Sequence, residues 1–486
     1  MKKSLKIFGL LVAVLLVVVI ARTFLVESRQ IRVDPVPEIA FDEKILIARF
    51  TKALQIPTVS HDDPQKVDSA AFIAMHRYLE KTFPLVHQHL TLEKIGGYSL
   101  LYRWKGADPK RRPVVLMAHM DVVPAEQSGW KYPPFEGTVA DNYIWGRGTL
   151  DDKSSLIAIL ESLEYLLSRE FQPQQTIYLA FGHNEEAGGA GAAAIASYLD
   201  TQGVKPELIL DEGGAILDAV VPGLVSPSAM IGTSEKGYVT LELMVHQAGG
   251  HSSAPPRHTA IGILSNAVRR LEENPMPARI SGSMEQMLDY LGPELPLFSR
   301  AIVVNRWLFQ PLITFGLSRM AATDATIRTT TAVTMIEGGI KENVLPRRVT
   351  ATVNFRIRPG ETVNDVIDHV RETIQNEDIK IVQRPHSVNP SPVSSPESAE
   401  FTLLHRTIRE IYPHVVVVPG IVIGATDARH FSHLSANVFR FAPFQITMKD
   451  FEGVHGVNER IGKKSYIDMV RFYVRFLQNL SAESAQ

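Results

Sequence analysis

The 486-residue chain contains no cysteine. That absence excludes disulfides, thiolate nucleophiles and Cys-ligated zinc, so any metal must be held by His and carboxylates. It leaves the compartment open, because an exported protein can also lack cysteine. An excess of one charge is missing too: 50 Lys and Arg stand against 52 Asp and Glu, so there is no basic footprint for nucleic acid. No internal repeat is evident. The 45% hydrophobic and 21% charged content is that of a folded protein and argues against disorder. The length exceeds what one compact core supports and predicts two domains.

Long hydrophobic runs are rare, and the longest lies at the N-terminus. Lys2, Lys3 and Lys6 precede an apolar stretch from Ile7 to Ala21, which Arg22 interrupts before Thr23 to Val26. Its 15 residues fall between a signal-peptide core and a full span of about 20. With Arg22 snorkelling, the stretch through Val26 can cross a bilayer. Residues 1–26 are therefore read as a signal anchor, with a removed signal peptide as the alternative. The lysines stay cytoplasmic in both cases, which places the rest outside. The expected protein is single-pass and extracytoplasmic, or secreted or periplasmic if the segment is cleaved.

Residues 27–40, with Pro35 and Pro37, predict a linker. Beyond it, short continuous apolar runs suited to buried strands (114–118, 176–181, 208–210, 415–418, 421–423) alternate with helical patterns at 156–167 and 190–199. Ser154 or Ser155 is available to cap the first of these helices. This order predicts an α/β fold, a mixed sheet flanked by helices. Tyr238 to Gln247 breaks the rhythm by alternating, and strands at 330–336, 349–357 and 380–383 follow with helices at 259–273 and 363–375. With 280–327 set aside, the order is β-α-β-β-α-β, a ferredoxin-like unit inserted into the first domain. The predicted division is a catalytic domain over 41–237 and 388–486, interrupted by a lid or dimerisation domain over 238–387.

Charged residues gather at the strand ends. His119-Met120-Asp121, Asp151-Asp152, Glu185-Glu186 and Asp211-Glu212 follow apolar strands or open a helix, and His455 sits between Gly453 and Gly456. The C-terminal edge of a parallel sheet is where α/β proteins bind ligands. Taken singly, each pair reads as a surface accident, a solvated loop or a helix cap; their joint placement at one edge is what points to metal. Imidazole and carboxylate ligands suit zinc in a hydrolytic site, with manganese or cobalt as substitutes. A carboxylate can bridge two such metals, and water held between them is nucleophilic near neutral pH. Adjacent Glu185 and Glu186 cannot both face one metal in an extended chain, so one would bind metal and the other move protons. His119 and Asp121 share a side of their strand, so one can bind while the other steadies it.

These motifs resemble the co-catalytic zinc peptidase family that includes carboxypeptidases and aminoacylases, over about residues 42–480. Ser234-Glu235-Lys236-Gly237, Gly250-His251-Ser252-Ser253-Ala254-Pro255-Pro256 and Asn354-Phe355-Arg356-Ile357 are most similar to its branch containing carboxypeptidase S and the N-fatty-acyl-amino acid synthase/hydrolases. The resemblance implies two zinc ions, one on His119 and Asp211, the other on Glu186 and His455, bridged by Asp151. It implies a cis peptide after Asp151, Glu185 as general base and acid, and Asp121 orienting His119. It further implies that His251 stabilises the tetrahedral oxyanion, in several relatives across a dimer interface, and that Asn343 and Arg356 bind substrate. Arg429 is another candidate for a substrate carboxylate, because a guanidinium fork fits one. His251 could instead bond the Ser252-Ser253 turn, and Arg356 and Arg429 could be scaffold ion pairs.

The function read from these residues is hydrolysis of an amide beside a free C-terminal carboxylate, in a dipeptide or an N-acyl amino acid. The alternatives are net synthesis of N-fatty-acyl amino acids by the same site, or a catalytically inactive, membrane-tethered binding protein. Residues 280–327, with Trp307, Leu308, Phe309 and Phe315, are expected to form core, wall an acyl pocket, or rest on the bilayer. Protein purified from membranes should begin at its own N-terminus when sequenced; a mature start near Arg22 would show a removed signal instead.

Overall fold

The computed structural model describes residues 2–482 except 35, 219, 220 and 222. Pro35 of the linker, Met1 and the last four residues thus lie outside the described residues.

A ten-stranded sheet is built around four parallel neighbours, in the order Ile177–Gly182, Val114–His119, Leu208–Asp211 and Val438–Arg440. The period of two along the second of these strands sends Val114, Leu116 and Ala118 into one core cluster and Val115 and Met117 into another. Helices Lys153–Leu167 and Lys463–Ala482 fill the first cluster, and Ala190–Thr201 covers the opposite face. Burial on both faces is why these strands read as unbroken apolar runs. The runs at 415–418 and 421–423 form one strand, Val416–Val422. Its ladder shifts register between Gly420 and Ile421, just past Pro419, which has no N–H to give.

Helix Lys153–Leu167 begins earlier than expected. Asp152 stands at its N-cap, and Ser154 and Ser155 are buried inside it rather than capping it. Two carboxylates therefore sit at a helix N-terminus, where the aligned peptide dipoles favour negative charge.

A second sheet of four antiparallel strands has the order Thr330–Gly338, Arg348–Ile357, Gly237–His246, Ile379–Gln383. With helices Ala260–Glu273 and Val363–Ile374 it encloses its own apolar core around Val239, Leu264, Phe355 and Val370. Thr259 caps the first helix through Gly262 N–H, and Thr362 with Asp365 forms a capping box on the second. The segment between Ala260–Glu273 and Thr330–Gly338 is helical: Ser283–Leu291, Leu297–Val304, Arg306–Leu317 and Ala321–Ile327. Helix Lys2–Leu25 lies N-terminal to both sheets and is long and apolar enough to cross a membrane. Residues 27–34 carry no regular structure, yet they do not float free. Gln30 accepts Val417 N–H at 2.8 Å and donates to Val417 O at 2.9 Å, and Arg29 pairs with Glu397 at 2.8 Å.

A three-stranded sheet of Thr138–Ala140, Tyr143–Trp145 and Arg460–Gly462 does the joining that matters most for the site. Arg460 opposes Trp145, so the loop before 460 and the loop after 145 meet although some 300 residues separate them.

Arg440 is fully buried and pairs with Glu235, Nη2 to Oε1 at 3.2 Å, while Glu235 also accepts Thr426 N–H at 2.8 Å. Replacing Arg440 by Leu strands the carboxylate in the core. Urea unfolding should then show a loss of about 3–5 kcal/mol, the usual result of breaking a buried pair.

Candidate metal centre

The centre assembles where the parallel strands end and the small sheet closes over them. His119 is the last residue of its strand. Its Nδ1–H donates to Asp121 O at 3.0 Å, which leaves Nε2 as the free lone pair, 2.9 Å from Asp151 Oδ1. The other Asp151 oxygen, Oδ2, lies 3.0 Å from His455 Nε2, and Glu186 Oε2 lies 3.1 Å from the same nitrogen. One carboxylate thus faces two imidazoles, one per oxygen. The peptide between Asp151 and Asp152 is cis.

Among the described residues, two groups of side chains have the geometry to hold a metal ion, His119 with Asp151 and Glu212, and Asp151 with Glu186 and His455. Asp211 belongs to neither. Its carboxylate accepts Ala428 N–H at 2.7 Å, at the start of the short helix Asp427–Phe431, so it caps that turn. Its neighbour Glu212, which the sequence reading did not single out, is the residue that stands with His119 and Asp151. Consecutive residues leaving a strand point to opposite sides, and the motif alone does not say which side faces the metals.

Charge supports a cation here. Burial raises the pKa of Glu212 well above the carboxylate range, and the nearby Asp151 and Asp152 add to it. Burial likewise lifts Glu186, and its Oε1 is buried with no hydrogen-bond partner. Burial would lower the His119 pKa, yet hydrogen bonds to Asp121 and Asp151 hold it well above its ordinary value. For His455 the bonds to Asp151 and Glu186 push it up to about 10. An orphaned carboxylate oxygen and convergent hard donors fit divalent ions of the zinc type.

Glu185 and Glu186 lie in a single helical turn, Glu185–Ala187, rather than an extended strand, and still diverge. Glu186 turns to His455, while Glu185 Oε1 lies 3.7 Å from Arg429 Nη1. Asp121 fixes this turn: its two carboxylate oxygens accept the N–H groups of Glu185 and Glu186, each at 3.1 Å. Burial and the Asp427 carboxylate push Glu185 well above the usual carboxylate range, which suits a group that takes protons.

Glu459 is a second residue that no motif announced. Its buried carboxylate accepts the N–H groups of Gly148, Leu150 and Asp151 and pairs with Arg147 at 2.6 Å. Arg147 in turn donates to Gly456 O at 2.7 Å, beside His455. This clasp ties the His455 loop to the Asp151 loop. His455 itself holds a left-handed backbone at φ 57°.

The remaining expected residues lie elsewhere. His251 is exposed on a two-residue ribbon paired with Val344–Leu345, and its Nδ1 accepts from Ser253 Oγ at 2.8 Å and Ser253 N at 3.1 Å. Asn343 lies beside it, its carbonyl accepting Ser252 N–H at 3.2 Å. Arg356 stacks over Tyr238 at 4.9 Å. Of the other histidines, His183 bonds Ser99 Oγ at 2.7 Å.

Comparison with known proteins decides the lineage. Residues 115–479 match the model of peptidase family M20/M25/M40. The chain belongs to that family. It is a metallopeptidase-type amidohydrolase, as the resemblance implied. A carboxypeptidase S-like protein of Dictyostelium discoideum is 45% identical over 89% of this chain and 85% of its own. The N-fatty-acyl-amino acid synthase/hydrolase PM20D1 of Homo sapiens is 40% identical over 91% and 89%. Carboxypeptidase S of Saccharomyces cerevisiae is 32% identical over 90% and 84%. Among solved structures, the M20 metallo-carboxypeptidase Sso-CP2 of Sulfolobus solfataricus superposes with a TM-score of 0.65 at 19% identity, over 91% of this chain and all of that one. The fold is therefore that of the M20 enzymes.

The division between Asp211 and Glu212 is testable by metal analysis. Glu212→Gln should lose the ion held with His119, while Asp211→Asn should keep the full complement, and the reverse pattern would restore Asp211 as ligand. Glu459→Gln, which loosens the clasp, should weaken metal affinity about 10–100-fold.

Proposed function

We propose that the chain is a two-zinc hydrolase of an amide bond beside a free carboxylate, acting on dipeptides or N-acyl amino acids. The observation that carries the reading is Asp151, with one oxygen toward His119 and the other toward His455. His119, Asp151 and Glu212 would hold one ion; Asp151, Glu186 and His455 the other. Bound zinc would polarise the scissile carbonyl and lower the pKa of water at the site. Glu185 takes the proton from that water and returns it to the leaving nitrogen. Asp121 keeps Glu185 in place through the backbone, and Arg429 offers its guanidinium to the substrate carboxylate from beside Glu185.

We divide the chain into a catalytic domain and an inserted ferredoxin-like lid. The lid's strand order, with the fourth, first, third and second strands side by side, supports that description. The ribbon bearing His251 and Asn343 is exposed, which suits residues that complete a site only on lid closure or in a homodimer. Exposed Met335 and Ile336 on the lid's outer strand offer the surface for such a dimer. Helix Lys2–Leu25 anchors the enzyme, with the lysines in the cytoplasm and the catalytic domain outside.

Similarity to N-fatty-acyl-amino acid synthase/hydrolases favours long acyl chains as a second substrate class, and synthesis as the reverse of the same reaction. Purified enzyme assayed on Gly-X dipeptides beside N-acyl amino acids of increasing length separates these substrates. Glu185→Gln should cut turnover on all of them by about 10²–10⁴-fold with metal content unchanged, and activity that survives the change would overturn the mechanism.

A further inference from the structure

We propose that residues 297–320 form a second bilayer-contacting surface, continuous with the outer end of the N-terminal helix, so that the enzyme body rests on the membrane. The inference depends on the reading of that helix as an anchor. Helices Leu297–Val304 and Arg306–Leu317 bury none of their residues, although their sequences are strongly apolar. Phe298 is 80% exposed, Met320 63%, Phe315 59% and Leu312 53%. A core role is therefore excluded for these side chains, and an acyl pocket would enclose them rather than leave them open. Clustered apolar exposure of this kind marks an interaction surface.

What covers the surface follows from what it is fastened to. The Asn305 amide is fully buried and donates to Val19 O at 3.2 Å, Thr23 Oγ1 at 3.1 Å and Ala301 O at 2.9 Å. It joins the insertion to the last two turns of helix Lys2–Leu25. Val19 lies six residues from the helix end, about 9 Å along the axis at 1.5 Å per residue. That matches the depth of about 5–10 Å at which interfacial helices bury their apolar face. Arg22, Arg306 and Trp307 line the cleft at this junction, and arginine and tryptophan are residues of the membrane interface. Just past the helix, Ser28 bonds Glu294 at 2.5 Å and Gln30 bonds Val417, which ties the body to the outer end of the helix. Wherever the helix enters lipid, the insertion is carried to the surface beside it.

The absence of cysteine makes the test direct. Single cysteines at Val14, Phe298, Phe315 and Ile340 in the full chain, each carrying an environment-sensitive fluorophore, are reconstituted in phosphatidylcholine vesicles. Nitroxide lipids should quench positions 14, 298 and 315 at least about twofold more than position 340, which lies on the lid and should answer to aqueous iodide. Position 14 in lipid with 298 and 315 open to iodide overturns the inference and leaves the anchor standing. Shielding of 298 and 315 from both quenchers also overturns it, in favour of a second copy or an enclosed pocket. If position 14 itself is not in lipid, the anchor reading fails and the inference falls with it.

Discussion

The structure depends on a concentration of negative charge at one sheet edge, which two imidazoles meet only in part. Asp151, Glu186 and Glu212 converge at one sheet edge with Asp121, Asp152, Glu185 and Asp427 close behind. Buried carboxylates cost several kcal/mol apiece unless paired. Few cations are supplied against them: Arg429 stands beside Glu185, and Arg147 is taken by Glu459. Burial and mutual repulsion lift Asp427 to a pKa of about 8, and both its oxygens are buried without a hydrogen-bond partner. Such a site is poorly stable as an arrangement of side chains and becomes favourable around divalent ions. Its geometry must therefore be imposed by the scaffold.

That imposition comes from three elements far apart in sequence. The parallel strands deliver His119, the Glu185-Glu186 turn and Glu212 to one edge. Helix Lys153–Leu167 offers its N-terminus to Asp151 and Asp152. The small sheet then brings His455 across the gap, and Glu459 fastens the two loops by accepting three N–H groups at once. A carboxylate that accepts several backbone N–H groups is held in one rotamer, and so are the loops that donate them. The buried pair Glu235–Arg440 supports the floor behind Asp211 and Thr426.

How much of this was legible depended on whether periodicity or direction was the question. Strands buried on both faces and helices with one apolar side declare themselves by period, so Val114–His119, Ala190–Thr201 and the alternating Gly237–His246 stand within a residue or two of where the sequence put them. Ligand types at strand ends were equally visible. Direction was not. The Asp211 carboxylate accepts Ala428 N–H, and no spacing rule encodes a partner 217 residues away. Glu459 was hidden for the same reason. Of the caps that the sequence offered helix Lys153–Leu167, the acidic pair stands at its start and the Ser pair lies inside it.

The described part of segment 27–40 lacks regular structure, as a linker would, yet tertiary contacts hold some of it. As a free linker of 14 residues it could extend about 46–50 Å and let the enzyme range above the bilayer. Instead Ser28, Arg29 and Gln30 are each bonded to the body within five residues of the helix end. The reach of the tether is thereby exchanged for a fixed orientation. The insertion beside these bonds exposes Phe298, Leu312 and Phe315, with the Arg319 guanidinium stacked on Phe315 at 4.6 Å. Amphiphilic substrates concentrate at such a surface. On the function proposed above, the short strap, the apolar insertion and the candidate metal centre would be parts of one arrangement, in which a lipid phase would supply N-acyl amino acids to the site.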